Sequence, residues 1–361
     1  MNPLTILLLI AGIVLLIVGA ESMVRGASRL AIALGISPLI VGLTVVAFST
    51  GSPELAVGIQ SALVNEADIA LGNVVGSNIL NVLIVLGVSA IIIPLTVNVQ
   101  LVRLDVPIMI GVSVLTVLFC LDGQISTLEG ALLCLGLLLY IALTVIMGRK
   151  QSMQAAADYV REFSSLKKFS TKALLLDLLY VALGLALLII GARWLVDGAV
   201  EIARLLGISE LIIGLTVVAL GTSLPEVVTS IVAAARGERD IAVGNVVGSN
   251  IFNILAVLGV SAVVAPDGIR VSPIALAFDV PFMVVVAMVC LPIFFRRFRV
   301  ERAEGAFFVL LYLAYTAYLL LSATHFPELR TFTSVFWGVN ALAVIVLTVL
   351  SIRQLRSMKR G

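Results

Sequence analysis

The stretch DIALGNVVGSNILNVL at 68–83 returns as DIAVGNVVGSNIFNIL at 240–255, with 13 of 16 positions identical. A second pair precedes it: GLTVVAFSTGSPE at 42–54 and GLTVVALGTSLPE at 214–226 are identical at 9 of 13 positions. Both pairs are separated by 172 residues without a gap. A fixed offset of this size indicates that the chain contains two copies of one structural unit.

The composition is that of a membrane protein. Of 361 residues, 61% are hydrophobic and 12% are charged, and the mean hydropathy is +1.20. Soluble domains carry roughly 25% charged residues, and the apolar runs here are long enough to cross a hydrocarbon core of about 30 Å. We predict an all-α polytopic membrane protein. The eleven predicted helices span 3–25, 37–62, 70–93, 103–121, 126–148, 172–196, 208–235, 243–265, 273–295, 304–322 and 334–352.

Five predicted helices fall in each copy of the repeat. Because five is odd, the second copy enters the membrane from the opposite side, which predicts two inverted repeats. Secondary transporters use such repeats and bind their substrates between them, near the midplane. The predicted units are a first membrane repeat at 1–148, a cytoplasmic linker at 149–171, a second membrane repeat at 172–322, and an extra helix with a basic tail at 323–361.

The distribution of Lys and Arg predicts the orientation. With the N-terminus outside, 19 of the 23 Lys and Arg residues lie on the cytoplasmic side and 4 lie outside. Cytoplasmic segments are enriched in these residues, so we predict an N-out, C-in topology. We expect a multi-pass protein of the cell membrane that contacts the lipid bilayer and no nucleic acid.

One glutamate in each copy, Glu54 and Glu226, follows a proline within an apolar helix. A carboxylate at membrane depth costs about 2.5–3.5 kcal/mol even on the lenient insertion scale. Pro53 and Pro225 are expected to break their helices, and backbone carbonyls freed at this depth are tolerated where they line a cavity or bind something. The pair therefore predicts a functional site.

Helical spacing places further polar groups beside these glutamates. The residues that share their faces, or form stripes on the following helices, are Ala47, Thr50 and Gly51; Ala219, Thr222 and Ser223; Asn73, Ser77 and Asn81; and Asn245, Ser249 and Asn253. This set contains only oxygen ligands, which suits hard cations such as Ca²⁺ or Na⁺ better than Zn²⁺ or Cu. Gly72, Gly76, Gly244 and Gly248 are predicted to let the helices approach closely.

The paired motifs resemble the two α-repeats of the calcium/cation antiporter superfamily, and are most similar to those of prokaryotic sodium/calcium exchangers. The resemblance covers about 1–322 and implies a ten-helix core with overlapping ion positions between helices 2, 3, 7 and 8. It also implies alternating access by sliding of helices 1 and 6. By position, it implies Glu54 and Glu226 as the main ligands. The assisting ligands that it implies are Thr50, Ser77, Asn81, Thr222, Ser223, Ser249 and Asn253, with the carbonyls of Ala47 and Ala219.

Three features depart from that family pattern. Gly51 stands opposite Ser223, so one hydroxyl is missing, and Asn253 stands where exchangers often carry an aspartate. These two differences bear on how many Na⁺ ions the site binds and on whether transport depends on K⁺. The helix and tail at 323–361 lie beyond the ten-helix core, and we interpret them as a peripheral anchor or an oligomer contact.

These observations predict an antiporter that exchanges Na⁺ for Ca²⁺, and a proton-coupled or K⁺-dependent cation antiporter is the alternative. We expect no cofactor besides the transported Ca²⁺ and Na⁺. An ion channel does not ordinarily contain an internal inverted pair. An intramembrane enzyme would need a nucleophile–base pair, two catalytic aspartates or a motif such as HExxH, none of which lies at membrane depth. We therefore predict a transporter rather than an enzyme.

Overall fold

The computed structural model describes residues 3–64, 67–162, 171–207, 219–324 and 329–358, which are almost entirely helical. We label the helices of this described part α1 to α11 in chain order. They are α1 Pro3–Leu34, α2 Pro38–Thr50 with Ser52–Leu63, α3 67–92, α4 Leu101–Cys120, α5 Thr127–Glu162, α6 Thr171–Leu205, α7 Ala219–Gly221 with Leu224–Ala235, α8 Arg239–Val264, α9 Ala275–Phe295, α10 Arg302–Ala323 and α11 Leu329–Met358. Within the described residues, 8 helices are long and apolar enough to cross a membrane, or 9 if the bent α2 is one span. The predicted all-α membrane fold is confirmed.

Several helices continue past their predicted ends. Helix α1 ends at Leu34 rather than 25, and Arg25 pairs with Glu21 at 2.7 Å on the same face, which adds a small stabilisation to this stretch. Helix α5 runs to Glu162, because the start of the predicted linker (QSMQAAADYVRE) is rich in good helix formers. The remaining linker residues 163–170, the first part of predicted helix 7 at 208–218, and His325 lie outside the described residues.

Helices α1 and α6 pack against each other as a close antiparallel pair. A Cβ atom added to Gly12 would lie 2.9 Å from the Gly191 carbonyl oxygen, and one added to Gly19 would lie 2.8 Å from that of Gly184. The relation is reciprocal, since a Cβ on Gly191 would lie 2.7 Å from the Gly12 oxygen. Glycines spaced seven residues apart thus let the two backbones touch along most of their length.

Two short antiparallel strand pairs connect the halves, and each pair takes one strand from each half. Strand β1 (Leu95–Thr96) pairs antiparallel with β4 (Arg299–Val300), and β2 (Gln124–Ile125) pairs with β3 (Ile269–Arg270). Strands β1 and β3 follow the equivalent helices α3 and α8, whereas β2 and β4 follow α4 and α9. The strand after the third helix of one half therefore pairs with the strand after the fourth helix of the other half, in both directions. This pairing is expected of two inverted repeats. The N-out orientation stays a prediction.

Helices α3 and α8 lie at the centre and each contains a π-helical stretch. The two stretches occupy equivalent places, Asn81–Leu86 in α3 and Asn253–Leu258 in α8. A π-helical turn has a wider backbone ring than an α-helical one and often marks a functional site. Here it begins at the last asparagine of each predicted polar stripe, so those two amides project from a locally altered helix.

Candidate cation site

Both predicted glutamates lie in the first turn of a half-helix. Helix α2 bends by 44° between Thr50 and Ser52, and Glu54 sits in the first turn of Ser52–Leu63. In the same way Glu226 sits in the first turn of Leu224–Ala235 in α7. The positive end of a helix dipole favours a carboxylate there. The two side chains are 0% and 1% exposed, so each charge is removed from water.

The Glu54 carboxylate is held by residues from the other half of the chain. The Ser223 hydroxyl donates to Glu54 Oε1 at 3.1 Å and lies 3.2 Å from the Ser77 hydroxyl. Thr222 is a further favourable polar neighbour of Glu54. Among the described residues, nothing donates a hydrogen bond to Glu54 Oε2. One oxygen of this carboxylate is thus engaged and the other is available.

The Glu226 carboxylate has less support. Neither of its oxygens accepts a hydrogen bond from the part of the chain that the structure describes, although Thr50 is a favourable polar neighbour. Ser223, which donates to Glu54, lies three residues before Glu226 in the chain, so the two carboxylates are close neighbours. Two buried carboxylates without a basic partner are costly, and a bound cation is the simplest way to compensate them.

The hydroxyls of the Glu226 side are tied together by Asn245. The Asn245 Oδ1 atom accepts from Thr50 at 3.1 Å and from Ser249 at 3.4 Å, and its amide nitrogen donates to Ser230 at 3.0 Å. All four side chains are buried. Asn245 therefore orients two predicted ligands, while its counterpart Asn73 is half-buried and donates only to the Glu54 carbonyl at 3.3 Å.

The predicted amide ligands Asn81 and Asn253 are each 1% exposed. The Asn253 nitrogen donates to Asn78 Oδ1 at 3.1 Å, and its Oδ1 accepts no hydrogen bond within the described residues. Neither amide atom of Asn81 has a partner there. Each side chain therefore offers a buried oxygen that is not committed to another group.

Two further asparagines hold α3 to α8, and the sequence analysis did not select them. Asn78 donates to the Asn250 carbonyl at 3.2 Å, and Asn250 donates to the Asn78 carbonyl at 3.2 Å. Their amides also contact Met283 and Met109 at 3.6 Å. Both asparagines belong to the repeated GSN triplet, so the duplication itself was the available signal.

The backbone ligands Ala47 and Ala219 stay a prediction. The break in α2 does not free the Ala47 carbonyl, which accepts a hydrogen bond from Gly51 N at 3.0 Å. The physical reason is that a proline at 53 removes the donor to residue 49, four positions earlier, and leaves the bond to residue 47 intact. The Ala47 oxygen keeps a second lone pair. Ala219 lies at the equivalent place in the helical stretch Ala219–Gly221.

A cavity adjoins the site on one side. Its volume is about 690 Å³, and the described residues that line it include Ser77, Thr222, Asp279 and Tyr315. The Tyr315 hydroxyl donates to Asp279 at 3.0 Å, as that of Tyr140 donates to Asp105 at 3.1 Å in the first half. The cavity links the site to a carboxylate that could attract cations.

The described residues contain no group of three or more His, Cys, Asp or Glu side chains able to hold a metal ion. The cysteines Cys120, Cys134 and Cys290 are free. The protein combines two broken helices, two repeated halves that pair their strands, and a site between them that offers only oxygen ligands. These features define the class of secondary transporters.

Comparison with known proteins agrees with this class. A family model described as sodium/calcium exchanger protein matches residues 4–146 and 176–321. The inner membrane protein YrbG of Escherichia coli is 38% identical over 293 residues, covering 80% of this chain and 88% of that protein. The sodium/calcium exchanger MaX1 of Methanosarcina acetivorans is 32% identical over 344 residues, covering 87% and 97%.

A solved structure is also similar. The sodium-calcium exchanger NCX_Mj, soaked with zero Na⁺ and Ca²⁺, superposes with a TM-score of 0.75 at 29% identity, covering 88% of this chain and 100% of that one. The chain therefore belongs to the sodium/calcium exchanger family. Membership makes it a multi-pass membrane transporter of the cation antiporter class, as the sequence predicted, and its relatives are exchangers rather than enzymes.

Proposed function

We propose that this protein exchanges Na⁺ for Ca²⁺ across the membrane by alternating access, with Glu54 and Glu226 as the main ligands. The observation that carries the proposal is the pair of fully buried carboxylates, one from each half, without a basic partner among the described residues. Two negative charges balance one Ca²⁺. The surrounding hydroxyl and amide oxygens can complete the six to eight ligands that Ca²⁺ usually takes.

Competition for one set of oxygens explains how exchange arises without chemistry. A single Ca²⁺ draws on the whole pool, whereas several Na⁺ ions each need their own share of it. In this proposal the neutral ligands are the side-chain oxygens of Thr50, Ser77, Asn81, Thr222, Ser223, Ser249 and Asn253, and the backbone carbonyl oxygens of Ala47 and Ala219. Filling the site with one kind of ion excludes the other.

Access to the two membrane sides would come from movement of α1 and α6. Their glycine contacts let them move as one unit, and α1 meets α7 through an ion pair between Glu21 and Arg236. Sliding of this pair past the central helices would expose the site alternately, as an inverted repeat allows.

The direct test is uptake of radioactive Ca²⁺ into proteoliposomes that contain the full chain. With pH clamped on both sides, an outward Na⁺ gradient should drive uptake, and collapsing that gradient should stop it. Uptake that ignores Na⁺ but follows a pH gradient would replace this proposal with proton coupling. A requirement for K⁺ in addition to Na⁺ would indicate the K⁺-dependent alternative.

A further inference from the structure

The two halves of the site differ at one equivalent position, Gly51 in α2 and Ser223 in α7. Ser223 supplies the hydroxyl that reaches Glu54 Oε1 at 3.1 Å and lies 3.2 Å from Ser77. Gly51 has no side chain, and no described residue donates a hydrogen bond to Glu226. Glu54 therefore has a serine hydroxyl from the second half beside it, whereas the equivalent hydroxyl from the first half is missing beside Glu226.

The space beside Gly51 is occupied by an aromatic ring. A Cβ atom on Gly51 would lie 2.9 Å from Phe252 Cδ1, 3.2 Å from Phe252 Cε1 and 3.1 Å from the Ala47 carbonyl oxygen. The Phe252 side chain is 6% exposed and meets the ring of Phe48 edge-on, with centroids 5.3 Å apart. A larger residue at 51 would have to displace this buried ring, and such overpacking is destabilising.

The repeat provides the natural comparison. At the offset of 172, Phe252 corresponds to Leu80, and Phe48 corresponds to Leu220. One half thus combines glycine with two aromatic rings, and the other combines serine with two leucines. Glycine at 51 is smaller than its counterpart Ser223, and Phe252 is larger than its counterpart Leu80. The two differences compensate each other in volume, so we treat them as one coupled change.

We propose that Phe252 is a specificity-determining residue that keeps a hydroxyl out of the Glu226 half of the site and so limits the number of Na⁺ ions bound together. The inference rests on the proposed function. A smaller pool of oxygens reduces the number of monovalent ions that can each be coordinated before it prevents binding of one Ca²⁺, which can use every remaining oxygen. Replacing the ring and restoring the hydroxyl should therefore change the Na⁺ dependence.

The test measures Ca²⁺–Ca²⁺ exchange in proteoliposomes and its inhibition by increasing Na⁺. Gly51→Ser alone should reduce the exchange rate by roughly tenfold, because the new side chain meets Phe252. Gly51→Ser combined with Phe252→Leu should recover exchange and show steeper Na⁺ inhibition, with a Hill coefficient higher by up to about one. An unreduced rate in Gly51→Ser, or a double variant with the wild-type Na⁺ dependence, would overturn the inference.

The other half supplies the matched control. Ser223→Gly with Leu80→Phe should make Na⁺ inhibition shallower, which is the opposite change in the equivalent place. The melting temperature of the purified protein gives a second, transport-independent readout. Phe252→Leu should restore part of the stability lost in Gly51→Ser, since residues in contact are not additive. Simple additivity would contradict the inference even if a variant did not transport.

The two failures are distinguishable. Wild-type protein that moves no Ca²⁺ with any counter-ion contradicts the proposed function, whatever the variants do. Wild-type protein that exchanges Ca²⁺, with variants that fold and leave its Na⁺ dependence unchanged, contradicts only the role of Phe252.

Discussion

The half-site around Glu54 and the half-site around Glu226 arise from two copies of one motif, yet they are built differently. Glu54 receives a hydroxyl from the opposite half through Ser223. Glu226 receives none, and the neighbouring hydroxyls of Thr50 and Ser249 turn to Asn245 instead. In this protein the two carboxylates occupy equivalent positions, whereas the hydroxyl groups around them do not make equivalent contacts.

The largest effect is expected from neutralising the carboxylates. Glu54→Gln and Glu226→Gln should each reduce Ca²⁺ transport by about two to three orders of magnitude, since removing one partner of a buried charge interaction costs about 3–5 kcal/mol. Transport of radioactive Ca²⁺ in proteoliposomes measures the loss. Glu129→Gln is the control, because Glu129 only accepts hydrogen bonds from Ser126 at the start of α5. Normal transport by either site variant would refute the assignment.

The next effect separates the hydroxyls of the two half-sites. Ser223→Ala should weaken Ca²⁺ binding by about tenfold or more, because it removes one of the proposed oxygen ligands and the hydroxyl that orients Glu54. Ser249→Ala should have a smaller effect, since its hydroxyl makes only a 3.4 Å contact with Asn245. Calorimetric titration of the purified variants compares the two. Equal losses would show that the half-sites do not differ in this respect.

Asn245 and Asn73, at the start of the two polar stripes, should differ in how much they stabilise the fold. Asn245→Ala removes three hydrogen bonds from buried side chains and should lower the free energy of unfolding by about 1–3 kcal/mol. Asn73→Ala removes one bond from a half-buried residue and should cost less. Thermal unfolding in detergent measures both variants. A larger loss at Asn73 would reverse the proposed roles.

The smallest effect is expected at the ion pair between α1 and α7. Glu21 contacts Arg236 and Arg25. The residues equivalent to Glu21 and Arg236 in the other half are Arg193 and Val64, which cannot form the same ion pair. Glu21 and Arg236 are 36% and 37% exposed, so the pair is screened by solvent and is worth at most about 1 kcal/mol.

Glu21→Gln should therefore alter the transport rate by no more than about fivefold, and less at high salt. Arg25→Gln is the control, because it removes the partner on the same helix and leaves the contact with α7. If both variants change the rate equally, the contact between α1 and α7 has no special part in transport.

The sequence contains the repeat, the buried glutamates and the order of helices because these are local patterns. Apolar runs identify spans, and the duplicated motifs identify the residues that share a site. The packing of Phe252 against Gly51 joins α8 to α2, so it requires a three-dimensional arrangement that periodicity does not specify. The mutual hydrogen bonds of Asn78 and Asn250 are of the same kind.

Helix ends were predicted less well for a physical reason. Hydropathy detects where a segment becomes polar, but a helix can continue past that point when its residues favour the helical backbone, as α5 does to Glu162. The Ala47 carbonyl shows a related limit. A proline predicts that a helix breaks, and only the structure identifies which carbonyl keeps its donor.

Equilibrium binding of radioactive Ca²⁺ to the purified chain tests the central claim most directly, which is that Glu54 and Glu226 form one cation site shared by Ca²⁺ and Na⁺. We expect the wild-type protein to bind a single Ca²⁺ per chain, rising Na⁺ to displace it, and the double variant Glu54→Gln/Glu226→Gln to bind none. Calcium that stays bound at high Na⁺, or that binds equally well to the double variant, would contradict it.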